Sequence, residues 1–141
     1  MNDEVETSHD AEYTTANTVD DFRHNLAAVK DKIAAAARSV DRDPNEIQLL
    51  PVSKTVPEER IRLAHAAGMT RLGENKVQEA DRKATNLEDL GIDWVVIGHL
   101  QTNKAKDVAR FAAEFQALDS LKAAKALDRR LQMLGRGLDV L

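Results

Sequence analysis

Apolar, strand-like runs begin near Ile47 (IQLLPVSK), Thr70 (TRLGEN), Asp93 (DWVVIGHL), Phe115 (FQALDS) and Leu138 (LDVL), at intervals of 23, 23, 22 and 23 residues. This spacing constrains the fold more than any other feature, because each interval holds one strand, one helix and two short loops. The segments between the runs, 57–67, 76–90, 103–112 and 121–134, read as helices. Pro57 suits a first helical turn, where its missing N–H does no harm, and Thr55 with Glu58 predicts a capping box. Ser120 predicts a second cap, and Gly68, Gly91 and Gly135 fall where helices should stop. Five strands alternating with four helices predict parallel strands joined by right-handed crossovers. Two α/β architectures satisfy that pattern: an open doubly wound sheet, or the N-terminal part of a (β/α)8 TIM-type barrel. A complete barrel takes ~250 residues, about twice what is present. The chain stops inside its fifth expected strand, so it is expected to be truncated.

One helix precedes the repeat. Thr18 and Asp21 predict a capping box, and Phe22, Leu26, Val29, Ile33, Ala37 and Val40 recur as one apolar stripe, with Pro44 just beyond. Residues 1–17 have no such periodicity and are expected to form a disordered acidic tail. Residues 18–141 then hold this helix and the repeat.

Charge narrows the function. The chain carries 20 basic and 24 acidic residues, and residues 1–17 hold five of the acids and no base. The remainder is left at +1, with acids and bases interspersed, which lacks the electrostatic footprint of a nucleic-acid binder. No window is apolar enough for a membrane span, and the polar N-terminus carries no secretory signal. The absence of cysteine excludes disulfides and thiolate chemistry. The four histidines show no metal spacing, so no metal is expected. A cytoplasmic protein is the expectation.

Ligands of either architecture bind at the carboxyl ends of the strands. Those ends are polar here: Ser53-Lys54-Thr55, Gly73-Glu74-Asn75-Lys76, Gly98-His99-Leu100-Gln101 and Asp119-Ser120. Lys54 follows an apolar run and precedes a helix, so its stem is expected to be walled in with its amine at the rim. Such an amine, once neutral, condenses with an aldehyde; a snorkelling surface lysine is the other reading of the position. Asn75 fits a ligand hydrogen bond or a turn, and His99 fits a ligand contact or a structural role. Arg129-Arg130 reads as a solvated helix face. There is no GxGxxG, and Ser53 lacks the G-x-S-x-G context of a serine hydrolase.

The strings LLPVSKT (49–55), RLGENKVQEA (71–80), WVVIGHLQTNK (94–104) and ALDSLKAAKAL (117–127) resemble the pyridoxal phosphate homeostasis proteins, whose fold is the alanine racemase N-terminal-like barrel. The resemblance covers roughly residues 18–141. It implies that Lys54 bears pyridoxal 5′-phosphate (PLP) as an imine, and that Asn75, His99 with Gln101, and Ser120 with Asp119 lie near the cofactor. It implies PLP binding for intracellular vitamin B6 homeostasis, with no catalytic residue and PLP-dependent apoenzymes as partners. A PLP-dependent racemase is the alternative, but racemases of this kind use a tyrosine as second base, and the sole tyrosine, Tyr13, lies in the acidic tail. The chain departs from the family where Val95-Val96 replaces the usual His-Phe after Trp94. It also lacks the late-barrel loops that contact the cofactor phosphate. With two open sheet edges, the chain is expected to aggregate and to hold PLP weakly.

Overall fold

The computed structural model describes residues 15–141, which form two compact units: residues 15–49 with 62–68, and residues 50–61 with 69–141. Most of the tail expected at 1–17, including Tyr13, lies outside the described residues. Within the part that is described, Ala16 is buried and the Asn17 amide donates to Asp21 Oδ2 at 3.0 Å.

In the first unit, helix α1 spans Val19–Arg38. Thr18 and Asp21 form the expected capping box: the Asp21 amide donates to Thr18 Oγ1, and the Thr18 amide to Asp21 Oδ2, both at 3.1 Å. Hydrogen bonding from the Asn17 amide, then from Thr18, holds the Asp21 carboxyl below the usual carboxylate range. Along the stripe, Ala37 is buried, Phe22, Leu26, Val29 and Ile33 are half-buried, and Val40 is exposed.

The second unit carries the repeat. Helix α2 starts here, spanning Glu58–Ala66. It is followed by β1 Arg71–Glu74, α3 Val77–Asn86, β2 Asp93–Val96, α4 Ala105–Phe111, β3 Glu114–Phe115, α5 Leu121–Leu134 and β4 Asp139–Val140. The helices match the expected segments, except that short 3-10 turns, Glu88–Leu90 and Thr102–Lys104, replace one end of two of them. The strands form one parallel sheet in the order β1-β2-β3-β4. Strictly sequential order belongs to consecutive staves of a (β/α)8 barrel. A doubly wound sheet reverses its order part-way.

The first expected strand is shortened to a single parallel bridge between Val52 and Gly73. Its two hydrogen bonds, from Gly73 N to Pro51 O at 2.8 Å and from Ser53 N to Gly73 O at 2.9 Å, place it as the stave beside β1. Pro51 lacks the donor a longer ladder needs, and Thr55 turns the chain away with φ at +64°. The Thr55–Glu58 capping box does not form. Thr55 Oγ1 donates to the Lys54 carbonyl at 2.6 Å, and Glu58 Oε1 instead accepts from Asn86 Nδ2 at 2.9 Å.

Side chains alternate across each strand, and one face of the sheet packs under the helices. Val96 and Phe115 meet Val108, Ala112, Ala123 and Leu127 from α4, α5 and the turn between α4 and β3. Leu72 and Trp94 meet Ile61, Leu87 and Ile92. Val95, on the opposite face beside Gly73, is also fully buried. Val95-Val96 therefore places two apolar side chains on opposite faces of the strand, neither reached by water. Phe115 has no exposed surface, so Phe115→Ala should lower unfolding free energy by about 3–5 kcal/mol in a denaturant titration.

Candidate functional site

Parallel register sets the carboxyl ends of the staves side by side. Ser53 N donates to Gly73 O, Ile97 N to Glu74 O and Gln116 N to Val96 O, each at 2.9 Å. The polar residues after each strand thus follow one another along one rim: Lys54, then Asn75, then Gly98-His99, then Asp119-Ser120.

The tightest contact on this rim is between Asn75 and Gly98. A Cβ on Gly98 would collide with the Asn75 carbonyl oxygen and with its side-chain Oδ1. Gly98 therefore permits a backbone approach that no other residue allows, which explains a glycine directly before His99. Next along, His99 Nδ1 lies 3.6 Å from Asp119 Oδ2, with both side chains mostly exposed. A pair so exposed contributes little to stability. Ser120 caps α5, its Oγ accepting from the Ala123 amide at 3.1 Å.

A cavity of about 460 Å³ opens between the second and third stave ends, lined by Asn75, Lys76, Gln78, His99, Gln101 and Lys104. The structure thus brings Asn75 and His99 together with two lysines. Lys54 and Ser120 do not line this cavity. The walled-in stem expected for Lys54 is corrected: Lys54 is exposed, because the chain turns at Thr55 as soon as the strand ends.

Beneath Lys54 lies a buried polar cluster that the strand-end reading missed. Lys83, on α3, has 1% of its side chain exposed, and Glu74 has none. The Lys83 ammonium donates to Ser53 O at 2.7 Å, to Glu74 Oε1 at 2.5 Å and to Glu79 Oε1 at 2.8 Å. Its three donors are therefore all used. Ser53 Oγ donates to the same Glu74 oxygen at 2.7 Å, while Glu74 Oε2 has no hydrogen-bond partner among the described residues. Glu79 Oε1 also accepts the Thr55 amide at 2.8 Å. The hydrogen bond from Lys83 holds the Glu79 carboxyl below the usual carboxylate range; the Thr55 amide adds to this, and partial burial opposes it. Removing Lys83 alone would leave Glu74 buried without its cationic partner, at a cost of about 3–5 kcal/mol. The signal for this cluster was in the helix spacing. Glu79 and Lys83 are four apart on α3, where an acid–base pair usually marks a solvated face.

Among the described residues no group of three or more His, Asp or Glu is arranged to hold a metal. No helix among them is long and apolar enough to cross a membrane.

The chain is similar in sequence and in fold to known proteins. The pyridoxal phosphate homeostasis protein of Escherichia coli K12 is 43% identical over 113 residues, covering 78% of this chain and 48% of that protein. Its namesake in Pseudomonas aeruginosa PAO1 is 42% identical over 106 residues, covering 75% and 46%. The chain belongs to the pyridoxal phosphate homeostasis protein family. It spans about half the length of these curated relatives. A more distant member, from Mycobacterium leprae, is 34% identical over 118 residues. PipY of Synechococcus elongatus PCC7942, solved with PLP bound, superimposes with a TM-score of 0.66 at 38% identity, covering 79% of this chain and 52% of that one. An unknown protein from Bifidobacterium adolescentis gives a TM-score of 0.78 at 28% identity, over 93% of this chain and 58% of that one. No protein-family model matches the chain.

Two outcomes test this geometry. Gly98→Ala should push Asn75 off the rim and cost about 1–3 kcal/mol in a thermal or denaturant melt. A carboxyl with a lowered folded-state pKa stabilises the fold above the usual carboxylate range, and that contribution is lost as pH falls through the range. The thermal midpoint should therefore drop on acidification, and less steeply in Glu79→Gln, as read by circular dichroism between pH ~6 and ~3.

Proposed function

We propose that this chain binds pyridoxal 5′-phosphate through Lys54 and serves intracellular vitamin B6 homeostasis as a carrier and buffer, without turnover. The observation that carries the reading is the rim itself. An exposed primary amine stands at the end of the first stave, in a chain 43% identical to a protein of that name. The curated relatives carry the name of a homeostasis protein, not of an enzyme.

The rim residues fit a small anionic aldehyde. Lys54 offers the amine, Asn75 and Gln101 offer amide hydrogen bonds, His99 offers an imidazole, and Lys76 and Lys104 add positive charge beside them. When bound, PLP would supply an aldehyde with which the neutral Lys54 amine could condense with loss of water. Lys54 would hold the ligand covalently, so that its aldehyde is no longer free to react with other amines. Asn75, packed against Gly98, presents its side chain beside the ligand from a fixed backbone. Ser120 acts at the rim chiefly by starting α5, since its Oγ is engaged by the Ala123 amide. Delivery of the cofactor to PLP-dependent apoenzymes is part of the same proposal, as the use a carrier of PLP would serve.

Incubation with PLP, reduction with borohydride and mass spectrometry of the digested chain test the assignment. The mass increment should fall on the peptide containing Lys54. It should vanish in Lys54→Ala and persist in Lys76→Ala. An unmodified Lys54 peptide in the wild-type chain would overturn the reading.

A further inference from the structure

We propose that Glu79 and Lys83, with Glu74, are positioning residues that clamp the backbone on both sides of Lys54 and so fix where its amine emerges from the rim. The proposal rests on the reading of Lys54 as the cofactor-bearing lysine.

Lys54 sits between two residues that are each held from α3. On its N-terminal side, the Ser53 carbonyl accepts from the buried Lys83 ammonium at 2.7 Å, and Ser53 Oγ donates to Glu74. On its C-terminal side, the Thr55 amide donates to Glu79 Oε1 at 2.8 Å. The two holds are one network, because Lys83 also donates to that same Glu79 oxygen. Lys54 itself is exposed. Its side chain therefore starts from a backbone fixed by its neighbours and not by walls around its own stem.

The geometry at Thr55 shows that the clamp does more than fill space. Thr55 has φ at +64°, a left-handed conformation that a β-branched residue adopts only when its surroundings impose it. The Glu79 carboxylate supplies that constraint by capturing the amide. This turn ends the strand directly after Lys54 and directs the chain toward α2. A glycine would take the same turn at no steric cost. With threonine there, the turn requires its anchor, so Glu79 acts on Lys54 through the backbone and not by touching the ligand.

Lys83→Met is a poor probe, since it strands the buried Glu74 charge and threatens folding. Glu79→Ala leaves the Lys83–Glu74 pair intact and removes the anchor of Thr55, together with one of the three acceptors around Lys83. The full chain is incubated with PLP at limiting concentration and reduced with borohydride, and the ratio of label on Lys54 to label on Lys76 is read by mass spectrometry. In Glu79→Ala the ratio should fall about tenfold, the size expected for losing a charge-assisted hydrogen bond. Far-UV circular dichroism should show the helices retained. Glu79→Gln keeps a carbonyl acceptor and should restore most of the ratio. The double variant Glu79→Ala/Thr55→Gly should also restore it, because glycine needs no anchor; a generally weakened fold would not recover this way. It also decides the matter if Glu79→Ala alone does not fold. Equal ratios in the wild type and Glu79→Ala, with Lys54 labelled in both, would overturn the clamp and leave the Lys54 reading standing. A wild-type chain with no label on Lys54 would overturn both.

Discussion

A buried ammonium organises the carboxyl end of this sheet. Lys83 projects from α3 into a space with almost no solvent and gives its three protons to oxygens from three segments: the Ser53 backbone at the end of the first stave, Glu74 at the end of β1, and Glu79 one turn earlier on its own helix. A lone charge so placed would be costly, and the surrounding oxygens make it tolerable. The arrangement works only if all three segments occupy fixed positions. Satisfying Lys83 and placing the strand ends are therefore one structural requirement.

Around that point the parallel register does the rest. Hydrogen bonds from Ser53 N, Ile97 N and Gln116 N advance from stave to stave and bring polar strand ends, far apart in sequence, into one row. Gly98 sets how closely two of those ends approach, by leaving room for Asn75. The helix-facing side chains Leu72, Trp94, Val96 and Phe115 supply the apolar burial that holds the sheet to its helices. The rim thus stays polar because the hydrophobic core lies under the helices, away from the strand ends. Val52 at one margin of the sheet and Val140 and Leu141 at the other remain substantially exposed.

Much of this was legible along the chain. The 23-residue rhythm located every helix of the repeat to within a few residues, because each βα unit must bury the same kind of face and return to the same layer. Thr18 with Asp21, and Ser120, read correctly as caps because a cap is satisfied within three residues of sequence. Thr55 with Glu58 looked like the same signal and was not. There the Thr55 amide is claimed by Glu79, which is 24 residues away. The first strand read as eight residues and is a single bridge, because Pro51 and the turn at Thr55 limit its pairing from both ends. The wall expected around Lys54 was inferred from its apolar run, but an apolar run buries a residue only where other segments cover it.

Local spacing and composition by themselves determined the parallel α/β repeat, the positions of its helices and the polar character of its strand ends, since each depends on residues within one turn or one strand. Tertiary structure alone decided which polar groups are buried and which remain in water. An acid and a lysine four apart on a helix look like a solvated pair, and only the packing of α3 against two strand ends makes one of them a buried ion. A lysine at a strand end looks enclosed, and only the turn that follows leaves it open. Burial depends on what other segments place around a side chain, and those segments are set by hydrogen bonds and contacts that span tens of residues.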